Sequence, residues 1–289
     1  MNKPIVVGIN GSAGSEAALT WALQRAGRDK LPVVAVHAVD DRWISPDFQY
    51  HEQIRQAGME LLHNAQAAAS TQAPDIKVDV QLRHGSSSSV LRDASKGASM
   101  LVVGEHDKHW MDGGPLTDRA LQIVSASEVP AAVVPVKRGS GDSSVVVGVD
   151  GSEESLQAVA FAAAEADRGG DELTVVLAFR GPARWIENRL PKSGLAESSR
   201  EEDRIVLAES VAGLGEKYPD LIVHQRLEPG VEPAKALVEA ARAARLLVIG
   251  SRGRGGFSRM VLGSTAHAVL LHVPCPTIVT RLHRVKHED

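Results

Sequence analysis

A glycine-rich segment that ends in two hydroxyl residues is the part of the sequence best suited to chemistry. The stretch GSRGRGGFSRMVLGST, residues 250–265, places Gly250, Gly253 and Gly263 in the spacing GxxG, nine residues, then GST. Glycines let backbone N–H groups approach an anion closely, and a helix beginning at Gly263 adds free N–H groups and a favourable dipole. Ser264 and Thr265 supply hydroxyl donors. The spacing therefore predicts a cradle for phosphate.

A carboxylate precedes this segment in the same half of the chain. Asp150 follows the run VVVGV and precedes Gly151 and Ser152, where a helix is predicted to begin. A carboxylate there can accept a hydrogen bond from a ribose hydroxyl. The alternative is a surface turn without a ligand. It is disfavoured because the glycine segment follows a strand, its GST begins a helix and Asp150 ends another strand.

The elements that position these residues occur twice. The stretch from Pro4, PIVVGINGSAGSEAALTWAL, matches SVVVGVDGSEESLQAVAFAA from Ser144 at an offset of 140 residues. Farther along, ASMLVVG matches ARLLVIG at an offset of 146, so Gly104 corresponds to Gly250. The repeat predicts two domains, residues 1–138 and 144–289, joined by a Gly- and Ser-containing linker within residues 136–144.

Short runs rich in Val and Ile alternate with longer helical stretches in both halves. Runs such as IVVGI are apolar at successive positions, which is typical of parallel strands covered on both faces. The pattern predicts an α/β fold in which each domain is a five-stranded, doubly wound parallel sheet with helices on both faces. In the first helix, Ala18, Leu19 and Ala22 should face the sheet, and Glu16, Gln24 and Arg25 the opposite side. The predicted strands are 5–9, 33–39, 76–82, 100–103 and 132–136, then 145–149, 173–179, 221–227, 246–249 and 277–280.

Composition excludes several other classes of protein. The 289 residues are 43% hydrophobic and 24% charged, which does not fit a disordered or fibrous chain. A net charge of −4 without a basic cluster argues against nucleic acid as a partner. No apolar run is long enough to span a membrane. One cysteine and a start without a leader sequence predict a cytoplasmic protein.

The glycine spacing, Asp150 and the repeat together resemble the universal stress protein family, and in particular its tandem, ATP-binding branch, over nearly the whole chain. The resemblance implies Rossmann-like domains of the adenine nucleotide alpha-hydrolase-like type and a bound ATP with Mg²⁺, whose shell would be phosphate oxygens and water. It places phosphates and ribose along the glycine segment, with the β- and γ-phosphates at its GST. Adenine would meet the backbone at the end of the second strand. The implied nucleotide-binding residues are Val149, Asp150, Ala178, Ile249, Gly250, Ser251, Arg252, Gly253, Gly263, Ser264 and Thr265.

The first half departs from this motif. Asn10 stands where the second half has Asp150, and Gly104 is the one glycine of the loop motif that is retained. Asp107, Thr117 and Asp118 replace Gly253, Gly263 and Ser264, so two carboxylates would face a phosphate. We expect weak or no nucleotide binding there, with Asn10 and Gly104 as the remaining candidates. A different glycine register, through Gly113 and Gly114, is the alternative.

Other candidate residues have simpler interpretations. His106 and His109, with Asp107 and Asp112, have metal-ligand chemistry but no further ligand, which favours a solvated loop. Ser86–Ser89 precede a helix and are expected to cap it, with anion binding and phosphorylation as alternatives. His37 is expected to be a packed residue beside the pocket, and Cys275 a buried one. Arg252, Arg254 and Arg259 are candidate phosphate clamps, with at least one facing water.

Three functions remain open on the sequence. The resemblance favours a nucleotide-dependent regulatory module of the stress response that acts on an unidentified protein partner. A slow ATPase or a phosphoryl- or adenylyl-transfer enzyme is the second, although the sequence has no Walker lysine and no kinase signature. A structural dimer module is the third. The apolar last strands, 132–134 and 277–279, are expected to pair, and whole chains to form a homodimer.

Overall fold

The chain divides into two compact units, Met1–Lys137 and Arg138–Asp289. The computed structural model describes residues 3–40, 48–105, 119–136, 142–179, 195–254 and 261–282. None of the helices within those ranges combines the length and apolar character that crossing a membrane requires.

The first unit is a parallel sheet with the strand order β3-β2-β1-β4-β5. Its chain alternates strand and helix, and the order reverses between β1 and β4, as in doubly wound sheets. The helices α1 and α2 pack against each other, as do α3 and α4. The elements are β1 (Ile5–Gly8), α1 (Ala13–Asp29), β2 (Val33–Val39), α2 (Phe48–Gln72), β3 (Val78–His84), α3 (Ser87–Ser95), β4 (Met100–Gly104), α4 (Arg119–Ala126) and β5 (Ala131–Val134).

The second unit repeats this architecture with the strand order β10-β9-β6-β7-β8, again with parallel pairing. The order here reverses between β6 and β9. The elements are β6 (Asp142–Val149), α5 (Glu153–Gly169), β7 (Glu172–Phe179), α6 (Leu195–Ser210), α7 (Leu214–Lys217), β8 (Val223–Pro229), α8 (Pro233–Ala240), β9 (Ala244–Gly250), α9 (Ser264–Leu270) and β10 (Thr277–Thr280).

The core of each unit lies along its central strands. Ile5, Val6 and Val7 are each at most 1% exposed, as are Leu246 and Leu247 in the second unit. Successive residues of a strand point to opposite faces, so burial of successive residues means that both faces are covered. The predicted doubly wound α/β fold is therefore confirmed in both units.

The structure corrects two expectations about individual elements. Arg25 does not face solvent: its side chain is 9% exposed, lies 3.4 Å from the Asp29 carboxylate and stacks over the ring of Trp21. A long aliphatic stem allows arginine to be buried when its charged end is paired. The third strand of each unit also lies two residues farther along than predicted, because pairing with the neighbouring strand fixes its limits. Val33 pairs with Val78 and Leu173 pairs with Val223.

Candidate nucleotide site

A cavity of about 340 Å³ lies at the carboxyl ends of β6 and β9 in the second unit. This is the point at which the strand order reverses, where open α/β sheets bind their ligands. The volume falls within the range of small-molecule sites. Its lining is Gly148, Val149, Asp150, Ser155, Val176, Ala178, Pro233, Leu237, Ile249, Gly250, Arg252, Gly253, Arg254, Gly263, Ser264, Thr265 and Ala266.

Asp150 is held at the end of β6 by a tight turn into α5. One carboxylate oxygen, Oδ1, accepts hydrogen bonds from the backbone N–H of Ser152 at 3.0 Å and from its hydroxyl at 2.6 Å. Ser152 caps α5, since its hydroxyl oxygen accepts from the N–H of Ser155 at 3.2 Å. Burial raises the pKa of the Asp150 carboxyl, but hydrogen bonds from Ser152, Arg254 and Ser155 outweigh burial and lower it overall. Asp150 is therefore ionised at neutral pH.

The glycine segment after β9 passes directly over this carboxylate. The Arg254 N–H donates to the second oxygen of Asp150, Oδ2, at 2.9 Å. A Cβ atom on Gly253 would lie 2.2 Å from the same oxygen, so only glycine fits there. Gly250 is similarly close to α5, because its Cβ would lie 3.0 Å from the Glu154 carbonyl. Two of the motif glycines are thus required by close approach of the backbone.

Arg252 lines the cavity, and its guanidinium is held by an ion pair. Its guanidinium lies 3.1 Å from the Glu154 carboxylate at the start of α5, and its side chain is 29% exposed. Arg254, by contrast, is exposed. The ion pair ties the glycine segment to the same helix that carries Ser152, so the segment contacts the β6–α5 turn at two positions.

Gly263 joins the two parts of the motif. Its N–H donates to the Ser251 carbonyl at 2.8 Å, and its backbone is extended just before α9. Ser251 is 2% exposed and lies behind the lining, while Ser264 and Thr265 line the cavity. Ten of the eleven second-half residues implied by the resemblance therefore meet at one cavity, and Ser251 supports them from behind.

Sequence reasoning named Ala178 on the apolar side of this cavity but missed the other residues of that side. Val176 and Ala178 of β7 lie on one face of the strand, and Pro233 and Leu237 of α8 also line the cavity. The Leu237 side chain lies over Gly148, where a Cβ would come within 2.9 Å of it. The repeat carried a signal for this contact: Leu91, 146 residues earlier, packs on Gly8 in the same way.

A smaller cavity of about 280 Å³ occupies the corresponding position in the first unit. Asn10 makes the same turn as Asp150, since its Oδ1 accepts from the N–H and the hydroxyl of Ser12 at 3.1 and 2.7 Å. Gly104 is explained by packing, because a Cβ there would lie 2.1 Å from the backbone of Gly14. Glu105 and Arg119 line this cavity at the positions of Ser251 and Thr265.

The remaining candidates are packed or capping residues, or lie outside the described ranges. Ser86 caps α3, with its hydroxyl oxygen 3.3 Å from the Ser89 N–H. The Nδ1 atom of His37 lies 2.7 Å from the Ile9 carbonyl. Cys275 is 2% exposed, as expected for a packed thiol. Residues 106–118 and Arg259 lie outside the described ranges. The first of these stretches contains the acidic substitutions, the paired histidines and the alternative glycines.

The chain belongs to the universal stress protein family. The family model matches residues 1–135 and again residues 143–281. A universal stress protein of Mycolicibacterium smegmatis is 32% identical over 290 residues, 96% of each chain. The crystal structure of a universal stress protein from Archaeoglobus fulgidus has the same fold, with 19% identity, a TM-score of 0.69 and 96% of each chain covered.

A further structure from Archaeoglobus fulgidus was solved in complex with dAMP, and it is 26% identical to this chain. The match covers 47% of this chain and 96% of that one, with a TM-score of 0.35. Binding of dAMP is thus an observation on that protein.

Proposed function

We propose that the second unit binds an adenine nucleotide, and that the chain acts as an ATP-binding regulatory module. The cavity at the ends of β6 and β9 carries this proposal, because it combines glycine backbone, hydroxyl groups and an ionised carboxylate at one position. The residues fit the group: the polar side of the cavity suits a phosphate tail and ribose, and its apolar side suits a purine.

The roles of the lining residues follow from their chemistry. Backbone N–H groups of Gly250–Gly253 and Gly263–Thr265 would receive the phosphates, with the hydroxyls of Ser264 and Thr265 as further donors. Val176, Ala178, Pro233 and Leu237 would contact the purine. Asp150 is the one acidic side chain among the described lining residues. Mg²⁺ would therefore take its oxygen ligands from phosphates and water.

We propose binding and signalling rather than catalysis as the purpose of this site. Asp150 already accepts hydrogen bonds on both of its oxygens, so it is poorly placed to take a proton from an attacking water. A nucleotide that orders the glycine segment would change the surface that a protein partner meets. Phosphate release from ATP over several hours should be no faster with the protein than in buffer alone. Faster release that is abolished by Gly263→Asp would favour an enzyme instead.

Isothermal titration with ATP and Mg²⁺ tests nucleotide binding directly. The Gly263→Asp variant places a negative charge where the phosphates would lie, and we expect the affinity to fall at least about tenfold. The matched control is Gly215→Asp, the same substitution at an exposed helical glycine of the same unit with no atom within 4 Å of its added Cβ. Loss of affinity in both variants, or in neither, would contradict the assignment.

Assembly and location remain predictions from the sequence. We propose a homodimer in the cytoplasm, without nucleic acid as a partner. Light scattering coupled to gel filtration should give twice the chain mass of 30.7 kDa, and a monomer at that mass would contradict the dimer.

A further inference from the structure

The contact between Asp150 and the glycine segment joins residues that are 104 positions apart in the sequence. The two oxygens of this carboxylate have separate partners. Oδ1 accepts from Ser152 within the turn, and Oδ2 accepts from the N–H of Arg254, which follows the neighbouring strand β9. A single side chain thus fixes both the start of α5 and the segment after β9.

Two further contacts hold the same part of the segment. All three atoms nearest to a Cβ on Gly253 belong to Asp150, at 2.2, 3.3 and 3.9 Å. A Cβ on Gly151, whose φ is +78°, would meet the Arg254 guanidinium. The main chain and the side chain of Arg254 therefore both lie against the Asp150–Gly151 turn.

Asn10 shows what an amide does in this position. Its Oδ1 accepts the same two hydrogen bonds from Ser12 that Asp150 accepts from Ser152. Its other terminal atom is an NH₂ donor, which cannot accept from a backbone N–H. An asparagine at 150 would therefore keep the turn and lose only the contact to Arg254.

We propose that Asp150 is a positioning residue: its Oδ2 holds residues 251–254 in the geometry that receives the phosphate tail. This rests on the proposed nucleotide site and assigns the carboxylate a task beyond contact with the nucleoside. Its removal should weaken binding of the phosphates more than binding of adenosine.

The Asp150→Asn variant separates these tasks. Competition titrations should show that its affinity for ATP falls at least about tenfold more than its affinity for adenosine, the effect of one lost hydrogen bond to a charged group. In the ligand-free protein, the Arg254 amide should exchange its hydrogen at least about tenfold faster. Glu172→Gln is the matched control: this exposed carboxylate pairs with His224 at the opposite end of β7. It should change neither quantity.

A double-mutant cycle gives a second test, which does not use the asparagine substitution at position 150. Gly253→Ala should weaken ATP binding about tenfold in the natural background, because its methyl group displaces the segment from Asp150. In the Asp150→Ala background the methyl has room, and the same substitution should have less than about a threefold effect. Thermal unfolding of each variant confirms that it is folded.

The outcomes distinguish this inference from the proposed function. A natural protein that binds neither ATP nor adenosine contradicts the nucleotide site itself. A natural protein that binds ATP, with Asp150→Asn losing ATP and adenosine affinity equally and Arg254 exchange unchanged, contradicts only the positioning role. Additive effects in the cycle would likewise overturn it.

Discussion

Asp150 combines partial burial with three hydrogen bonds to its carboxylate oxygens, and these donors determine its charge. Burial alone would raise the pKa of this carboxyl, whereas the Ser152, Arg254 and Ser155 contacts lower it below the usual value. Because the pKa is lower in the folded state, the ionised carboxylate stabilises the folded protein. This stabilisation is fully present above the usual aspartate pKa of about 3.9 and is lost as the pH falls through the lowered value.

The pH dependence of ATP binding should reflect this. Asp150 stays ionised between about pH 5 and pH 8, so its effect on ATP affinity should be constant over that range. The affinity that depends on the carboxylate should be lost only below about pH 4. Titrations from about pH 8 down to below about pH 4 check the expectation. The Asp150→Asn variant should not show the loss of affinity at acid pH. A midpoint for that loss near neutral pH, absent in the variant, would show that the carboxylate is not held ionised.

Cys275 provides a second test at the residue scale. Burial raises the pKa of its thiol to about 12, so the reactive thiolate is scarce at pH 8. We expect a thiol reagent such as DTNB to leave the native protein unmodified over an hour and to react with one equivalent after denaturation in guanidinium. Rapid stoichiometric reaction of the native chain would contradict the packing of Cys275.

The two units contain the same helix start with different consequences. Ser12 and Ser152 each accept a hydrogen bond from the backbone N–H three residues later, at 3.2 Å. Each also donates to the polar residue that ends the preceding strand, Asn10 or Asp150. The same local structure therefore supports a plain helix cap in one unit and the anchor of the glycine segment in the other.

Alanine substitution of both serines tests this difference. Ser12→Ala and Ser152→Ala should each lower the free energy of unfolding of its unit by about 1 kcal/mol, the usual cost of a lost N-cap. Only Ser152→Ala should also weaken ATP binding, because Oδ1 of Asp150 loses the Ser152 hydroxyl as a donor and keeps only the backbone N–H of residue 152. Equal effects of the two variants on ATP affinity would indicate that the turn has no part in the site. Thermal unfolding and titration give the two measurements.

At the scale of the whole molecule, duplication has produced two cavities with different linings. The second carries the complete glycine motif and Asp150, whereas the first carries Asn10, Glu105 and Arg119 at corresponding positions. The sequence of the first unit also has aspartates at positions 107 and 118. Like charge opposes phosphate, so the two units are not expected to be equivalent in binding.

Binding stoichiometry tests this asymmetry. We expect one ATP per chain in titrations at concentrations well above the dissociation constant, and Gly263→Asp should remove that single site. Two nucleotides per chain would contradict the prediction for the first unit. The mass of nucleotide extracted from the purified protein provides an independent count and identifies ATP, ADP or AMP.

The sequence alone determined the tandem α/β architecture and the second half's candidate residues. Parallel strands buried on both faces must be apolar at successive positions, so runs such as VVVGV identify central strands without knowledge of their neighbours. A glycine segment that follows such a strand must lie at the carboxyl end of the sheet. The repeat supported the predicted order of elements, because the two copies agree on it.

Tertiary structure alone decided the partners of the side chains. Periodicity predicted that Arg25 would be exposed, but its pairing with Asp29 and stacking on Trp21 allow it to be buried. Spacing suggested Arg252 as a phosphate clamp, and the folded chain adds a partner that the spacing did not show, the Glu154 carboxylate. The bond from Arg254 to Asp150 spans 104 residues. Local patterns report which face of an element is apolar, but contacts between distant residues depend on how the sheet brings strand ends together.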